Sequence, residues 1–286
     1  MSAPYAVTEG ARVLTPHGPG VIAKLDAKGR TEVHLDWCLA DGKNARAYLA
    51  VELVRPVVLE VDAENNVIYK IVEPKDAAEV IDVTATAFDK GEPLTKQCGS
   101  TQRDMKNFVS MYVPRMAKEG YTVAAVDSKT GEVLGAFLNE DFNNPDPAGI
   151  GAFLDNSDGV WMPVLTMIES LEEKLLEKHN IPANPIDRPA KTHFHLWMIG
   201  VAPNGRGRGV GKKLFTHSVG VAKACGFKLA FAECTGAIST HIFKKYLNPT
   251  LDAYVDYKTW DGVGKEDVNK VPDTGHPGMS MLSVAL

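Results

Sequence analysis

The residues with the most chemistry in them form one run, Val201-Ala202-Pro203-Asn204-Gly205-Arg206-Gly207-Arg208-Gly209-Val210-Gly211-Lys212. An apolar strand-like stretch precedes it and an amphipathic stretch follows, so it joins a strand to a helix. Glycines at a helix start cost helix propensity. What they supply is backbone that a bulky anion can approach, with first-turn N–H groups that lack helical acceptors pointing at it. The positive end of the helix dipole, with Arg206, Arg208 and Lys212 beside it, suits a diphosphate. The run is no P-loop, because Gly-x-x-x-x-Gly-Lys-Ser/Thr is absent. Gly205-x-Gly207-x-x-Val210 approaches the dinucleotide fingerprint, but it breaks at the third glycine and no acid follows at the required distance. A flexible turn without a ligand is the plain alternative, and the Val-x-Pro before the run and the amphipathic helix after it count against that.

Other reactive side chains are less self-explanatory. His193, His195 and Trp197 alternate along the strand entering the run and are expected to share one face. Glu92 alone reads as a turn carboxylate. The four cysteines, Cys38, Cys98, Cys225 and Cys234, show no CxxC spacing, so neither a metal site nor a disulfide framework is expected. Reduced thiols are the expectation, with Cys234 a buried strand-end thiol and not a nucleophile. Trp161, Phe153 and Met162 fit an aromatic pocket and ordinary packing equally well.

The elements that must position these groups follow from period and punctuation. Over residues 1–56, short alternating runs at 11–14, 21–25, 31–37 and 45–51 are separated by His17-Gly18-Pro19-Gly20, by 26–30 and by Asp41-Gly42. That spacing predicts a small all-β barrel, SH3-like or Tudor-like. Residues 57–286 form the second expected domain. Strands are predicted at 66–72, 121–126, 132–138, 192–201, 228–233, 252–257 and 279–284. Helices are predicted at 74–88, 101–118, 160–179, 207–225 and 239–246, with loops at 139–158 and 180–189. The order predicts a mixed α/β architecture, one sheet with helices on both faces.

Composition sets outer limits. The 286 residues are 44% hydrophobic and 23% charged, enough to bury a core without staples. A formal charge of −5 argues against a nucleic-acid binder, which usually shows a basic domain. Residues 1–10 lack a basic and apolar leader, and no apolar run is long enough for a membrane span, so a soluble cytoplasmic protein is expected.

The run meets the Arg/Gln-x-x-Gly-x-Gly/Ala motif of GNAT acetyltransferases through Arg206, Gly209 and Gly211. From residue 67 onward the chain resembles the arylalkylamine N-acetyltransferases, most of all the insect dopamine branch. Further matching pieces are Phe88-Asp89-Lys90-Gly91-Glu92-Pro93-Leu94, Gly135-Ala136-Phe137-Leu138-Asn139, Leu171-Glu172-Glu173, Cys234-Thr235-Gly236-Ala237-Ile238-Ser239 and His276-Pro277-Gly278. The resemblance implies a GNAT fold with a central, mostly antiparallel mixed sheet, and acetyl-CoA held by Ile199, Gly200, Val201, Arg206, Gly207, Arg208, Gly209, Val210, Gly211 and Lys212. It implies Glu92 as general base, assisted by hydroxyls at Thr235 and Ser239. Thr235 departs from the branch, which has Ser there, and its β-branching restricts its rotamers. Phe243 stands where many GNAT enzymes carry a tyrosine acid, so Ser239 is the expected proton donor. In the serotonin branch, histidines on the strand before the run relay the proton, which makes His195 a secondary base or relay candidate, with Trp197 on the other such position.

The expected reaction is acetyl transfer to a small primary amine such as dopamine, tyramine, tryptamine or serotonin. The ammonium must first lose a proton to a base. The thioester oxygen gains charge that strand amides near 198–200 can meet, and the thiolate leaves easily. Two alternatives stand beside it. One is a polyamine or other aliphatic amine as substrate. The other is a non-catalytic acyl-CoA sensor whose N-terminal barrel binds a protein partner.

Overall fold

The computed structural model of the protein describes residues 7–39, 43–157, 159–273 and 275–286. Five strands open the chain: β1 (Arg12–Thr15), β2 (Gly18–Leu25), β3 (Arg30–Cys38), β4 (Asn44–Ala50) and β5 (Arg55–Pro56). Alternation along β3 puts Val33 and Leu35 into a small core with Val13, Ile22 and Ala47. The sheet order is β4-β3-β2-β1-β5, an open meander with β4 and β5 as its edges. The closed barrel expected from strand spacing is therefore not formed among the described residues. β5 is two residues long and ends in Pro56, which has no N–H to extend a ladder. The turn expected at Asp41-Gly42 lies outside the described residues.

The second sheet has eight strands: β6 (Val58–Asp62), β7 (Val67–Ile71), β8 (Val123–Asp127), β9 (Val133–Asp141), β10 (His193–Val201), β11 (Leu229–Cys234), β12 (Thr250–Asp256) and β13 (Gly278–Ala285). Their order is β12-β13-β11-β10-β9-β8-β7-β6. Every neighbouring pair is antiparallel except β10 with β11. The helices are α1 (Ala77–Gly91), α2 (Pro93–Gln97), α3 (Gln102–Glu119), α4 (Ile150–Asp155), α5 (Met162–His179), α6 (Val210–Ala224), α7 (Ala237–Leu247) and α8 (Lys265–Val268). α6 and α7 cover one face through Val210, Leu214, Phe215 and Phe243. α1 and α3 cover the other face beside Met198 and Trp161, and α5 covers it around Leu171 and Phe231. This is the mixed, mostly antiparallel sheet with flanking helices that the element order predicts.

Several details differ from expectation, among them the short helices α2 and α8, which no predicted element covers. β6 lengthens the sheet edge, and α4 stands inside the stretch read as loop. α6 begins at Val210, three residues after its predicted start. Gly207 and Gly209 take φ of +77° and +73°, left-handed backbone that no helix interior contains.

Val57 stitches the two sheets together. Its N–H donates to the Arg12 carbonyl at 2.9 Å, and its own carbonyl accepts from the Ile71 N–H at 2.7 Å. Arg12 adds ion pairs to Asp36 and to Glu73, the latter with a side chain only 3% exposed. Gly120 ends α3 at φ +71°, and a Cβ there would sit 2.6 Å from Leu14 Cδ1.

Candidate active site

The site begins with a failure of pairing. β10 and β11 run parallel through His193↔Leu229, Phe194↔Ala230 and His195↔Phe231, and then part. β10 continues to Val201 with β9 alone as partner, through Val201↔Gly135. The backbone of β10 from Leu196 onward therefore has one edge facing a gap. Leu196, Trp197, Ile199, Glu233, Cys234 and Ser239 are among its lining residues, and it encloses about 30 Å³. A larger hollow of about 400 Å³ lies on the opposite face of α7, among Thr240, His241, Lys244, Lys245 and His276. Among the described residues its lining holds no carboxylate, whereas Glu233 lines the smaller gap between the parting strands.

A bulge sits in the middle of β10. Its register with β9 shifts between Leu196 and Met198. Phe194 and Leu196 pack toward α6, and beyond the bulge Ile199 and Val201 do so instead. Trp197 and Met198, although consecutive, both join the α1 and α3 cluster. The strict alternation expected from the sequence thus changes phase at Trp197, as an extra residue in one strand requires.

The glycine run packs against the end of β10, where a Cβ on Gly211 would lie 3.8 Å from Val201 Cγ2. Gly209 is the N-cap of α6 and no side chain caps it, so the first-turn N–H groups lack the usual partner. Added Cβ atoms at Gly207 or Gly209 would meet nothing within 4 Å, so the backbone faces open space. Gly205 differs: it is buried, and a Cβ there would lie 2.7 Å from the Leu134 carbonyl. Arg206 and Lys212 are exposed, and Lys212 Nζ lies 5.6 Å from the Tyr246 ring centre. Arg208 is engaged elsewhere. Its guanidinium donates to the carbonyls of Asn65 (2.6 Å) and Asn66 (3.1 Å) and pairs with Asp127 at 2.9 Å, so it ties the run to two hairpin turns. An open, uncapped helix start beside a free strand edge fits the diphosphate and pantetheine arm of a coenzyme A thioester.

On the face opposite α6 lies a buried charged cluster that no sequence motif announced. His195 is 4% exposed and sits between two carboxylates, with Nε2 at 2.8 Å from Glu233 and Nδ1 at 3.3 Å from Glu140. Its ring stacks on Phe231 at 4.7 Å and 8°. Burial alone would push the imidazole down, but Glu233 and Glu140 outweigh it and hold it up to about 10. The two carboxylates thus favour the charged imidazolium of His195 over the neutral ring that a base needs. Glu140 is also paired with Arg115. Glu172, from α5, is pushed up to about 7 by burial and then by Glu233. The Glu233 side chain is 4% exposed, and its Oε1 has no hydrogen-bond partner among the described residues.

The remaining sequence candidates divide. Ser239 lines the gap, with its hydroxyl donating to the Gly236 carbonyl at 3.1 Å. Thr235 is not among the lining residues, and its carbonyl accepts from Tyr257 Oη at 2.7 Å. Glu92 is 8% exposed and caps α2, accepting from the N–H of Leu94 at 3.2 Å and of Thr95 at 2.5 Å. Glu92 makes no hydrogen bond or ion pair to Thr235, Ser239 or His195 among the described residues, and it does not line the gap. Phe243 is buried there, edge-on to Phe215. The Cys234 thiol is pushed up to about 12, first by burial and then by Glu233, so it stays protonated. Trp161 stacks on Phe108 at 4.4 Å, and Tyr112 reaches Trp197 at 4.7 Å, making one aromatic wall on the carboxylate face.

Comparisons with known proteins agree with this architecture. Residues 181–246, which hold the run and both parting strands, match the Acetyltransferase (GNAT) family model. Arylalkylamine N-acetyltransferase 2 from Aedes aegypti superposes with a TM-score of 0.61 at 19% identity, covering 77% of this chain and 99% of that one. Polyamine N-acetyltransferase from Drosophila melanogaster gives 0.58 at 17% identity, over 77% and 100%. An agmatine N-acetyltransferase gives 0.60 at 17% identity over the same shares. With its parting parallel strands and glycine-entered helix, the chain has the GNAT fold.

Proposed function

We propose that the protein transfers an acetyl group from acetyl-CoA to the primary amine of a small molecule. One observation carries this reading. The one parallel strand pair among the described residues opens into a gap, and β10 leads from that gap to an uncapped helix start built with left-handed glycines. The amides of Val210, Gly211 and Lys212 would hold the diphosphate, with Arg206 and the Lys212 ammonium screening its charge. The free edge of β10 through Ile199, Gly200 and Val201 would pair with the amide-bearing arm as a strand would. Backbone N–H groups beside the Trp197 bulge would meet the charge that the thioester oxygen gains. Ser239, at the gap wall, would return a proton to the departing thiolate.

The acceptor enters from the carboxylate face. Trp197, which lines the gap and is backed by the buried Tyr112 and Phe108, favours an arylalkylamine, because an aromatic ring packs on an aromatic neighbour with about 0.5–1.5 kcal/mol beyond area burial. Glu140, Glu172 and Glu233 on the same face support a second reading, a polyamine. Steady-state rates with tryptamine and with spermidine at saturating acetyl-CoA separate the two. A higher kcat/KM for tryptamine supports the first, and a higher value for spermidine the second. Transfer to neither amine, with acetyl-CoA still bound, would leave an acyl-CoA sensor.

A further inference from the structure

We propose that Glu233 is the catalytic group that binds the substrate ammonium and takes its proton, an inference that rests on the acetyl-transfer reading above. Ala230, Ala232 and Cys234 pack toward α6, so Phe231 and Glu233, alternating with them, point to the acceptor face. Glu233 lies two residues past the last parallel pair and borders the gap together with Trp197. Its Oε2 is held by His195 Nε2 at 2.8 Å, while its buried Oε1 accepts from nothing among the described residues. A buried carboxylate oxygen without a donor is costly. A primary ammonium brings both the missing donors and the opposite charge.

His195 is a positioning residue in this scheme. Locked between Glu140 and Glu233 and stacked on Phe231, it fixes the Glu233 rotamer so that Oε1 is the oxygen left over. The other charged groups around the pair are Arg115 from α3, Glu172 from α5, and Arg188 and Asp146 from the loops. Glu92, by contrast, spends an acceptor site on each oxygen in capping α2 and lies outside the gap.

The step balances as follows. The ammonium gives one proton to Glu233 Oε1, and the freed nitrogen lone pair forms the N–C bond to the thioester carbon. The C–S bond breaks, Ser239 Oγ gives its proton to the departing thiolate, and the second nitrogen proton replaces it on Ser239. The proton on Glu233 passes to water as the acetylated amine leaves.

The test compares Glu233→Gln, Glu233→Asp and Glu92→Gln with the unmodified protein, using tryptamine and acetyl-CoA across pH 6–10. Calorimetry with acetyl-CoA and a melting curve for each variant show whether it is folded and holds its co-substrate. Glu233→Gln is expected to lower kcat/KM about 10²- to 10⁴-fold, the usual range for losing a general base, with acetyl-CoA affinity unchanged. Its residual rate is expected to climb with pH as the free amine fraction grows. Glu233→Asp, which keeps the carboxylate but shortens its reach, is expected to recover part of the rate and the original pH profile. It serves as the arm that decides if the glutamine variant does not fold. Near-normal kcat/KM in Glu233→Gln, or in Glu233→Asp an unaltered rate, would overturn the proposal, as would a 10²-fold loss confined to Glu92→Gln. If the unmodified protein binds no acetyl-CoA, the acetyl-transfer reading fails first and this inference falls with it.

Discussion

Replacing Gly209 with valine is expected to weaken acetyl-CoA binding by about 10²- to 10⁴-fold. Gly209 caps α6 at φ +73°, and a Cβ there meets no atom within 4 Å, so the free protein has room for the side chain. Two effects act on the bound state. Holding an L-residue in the left-handed region costs about 1–2 kcal/mol, and a β-branched one sits at the upper end. Relief by turning φ negative swings the amides of Val210 and Gly211 away from the diphosphate. Hydrogen bonds to a charged group contribute about 1.5–3 kcal/mol each, so losing two removes about 3–6 kcal/mol. At about 1.4 kcal/mol per decade, that is the stated range. The assay is isothermal calorimetry with acetyl-CoA, and a melting curve confirms a folded variant. A folded Gly209→Val protein whose Kd lies within threefold of the original would refute the reasoning.

Further expectations concern other parts of the molecule. Arg208→Ala should lose the bonds to Asn65, Asn66 and Asp127, costing about 1–3 kcal/mol. That lowers Tm by several degrees while acetyl-CoA affinity stays within threefold; a tenfold affinity loss at unchanged Tm would make Arg208 an anion ligand instead. Trp197→Ala should lower kcat/KM for tryptamine about 2- to 10-fold more than for spermidine, the share of one aromatic pair, and equal losses would remove the aromatic wall from substrate choice. His195 has its folded-state value raised above the ordinary one, to about 10. Its stabilising contribution is therefore fully present below about pH 6.5 and is lost as pH rises through 10. Tm measured by calorimetry should fall across that window, and His195→Gln should flatten the fall; parallel curves would mean the imidazolium is not what titrates. Gly120→Ala, with its Cβ 2.6 Å from Leu14 Cδ1 and its left-handed φ, should cost about 1–3 kcal/mol. An unchanged melting curve would show that the first sheet yields freely at that contact.

Legibility in the sequence followed the range of the interactions involved. The glycine run was readable because anion binding at a helix start is local: spacing, residue type and strand-to-helix context all fall within twelve positions. The main sheet and helices were readable from period, since α5 keeps Val164, Met167, Leu171 and Leu175 on one face. Aspartates, asparagines and prolines at 139–158 hid the short α4, which follows Gly149 at φ +86°. The barrel expectation failed because a strand count says nothing about closure, and the two-residue β5 leaves an open edge. The carboxylate cluster was invisible for a different reason. Glu140, His195 and Glu233 come from three strands and meet only through the β9–β10–β11 register. A histidine and two glutamates so far apart in the chain carry no local signature. Nor does the bulge at Trp197, which changes the phase of a strand whose composition looks regular.

The most direct test is a crystal structure with coenzyme A. The expected result has diphosphate oxygens within hydrogen-bonding distance of the amide nitrogens of Val210, Gly211 and Lys212, and the pantetheine arm lying between β10 and β11. Coenzyme A bound elsewhere, for instance in the hollow beside Lys244 and Lys245, with the gap closed, would contradict the account.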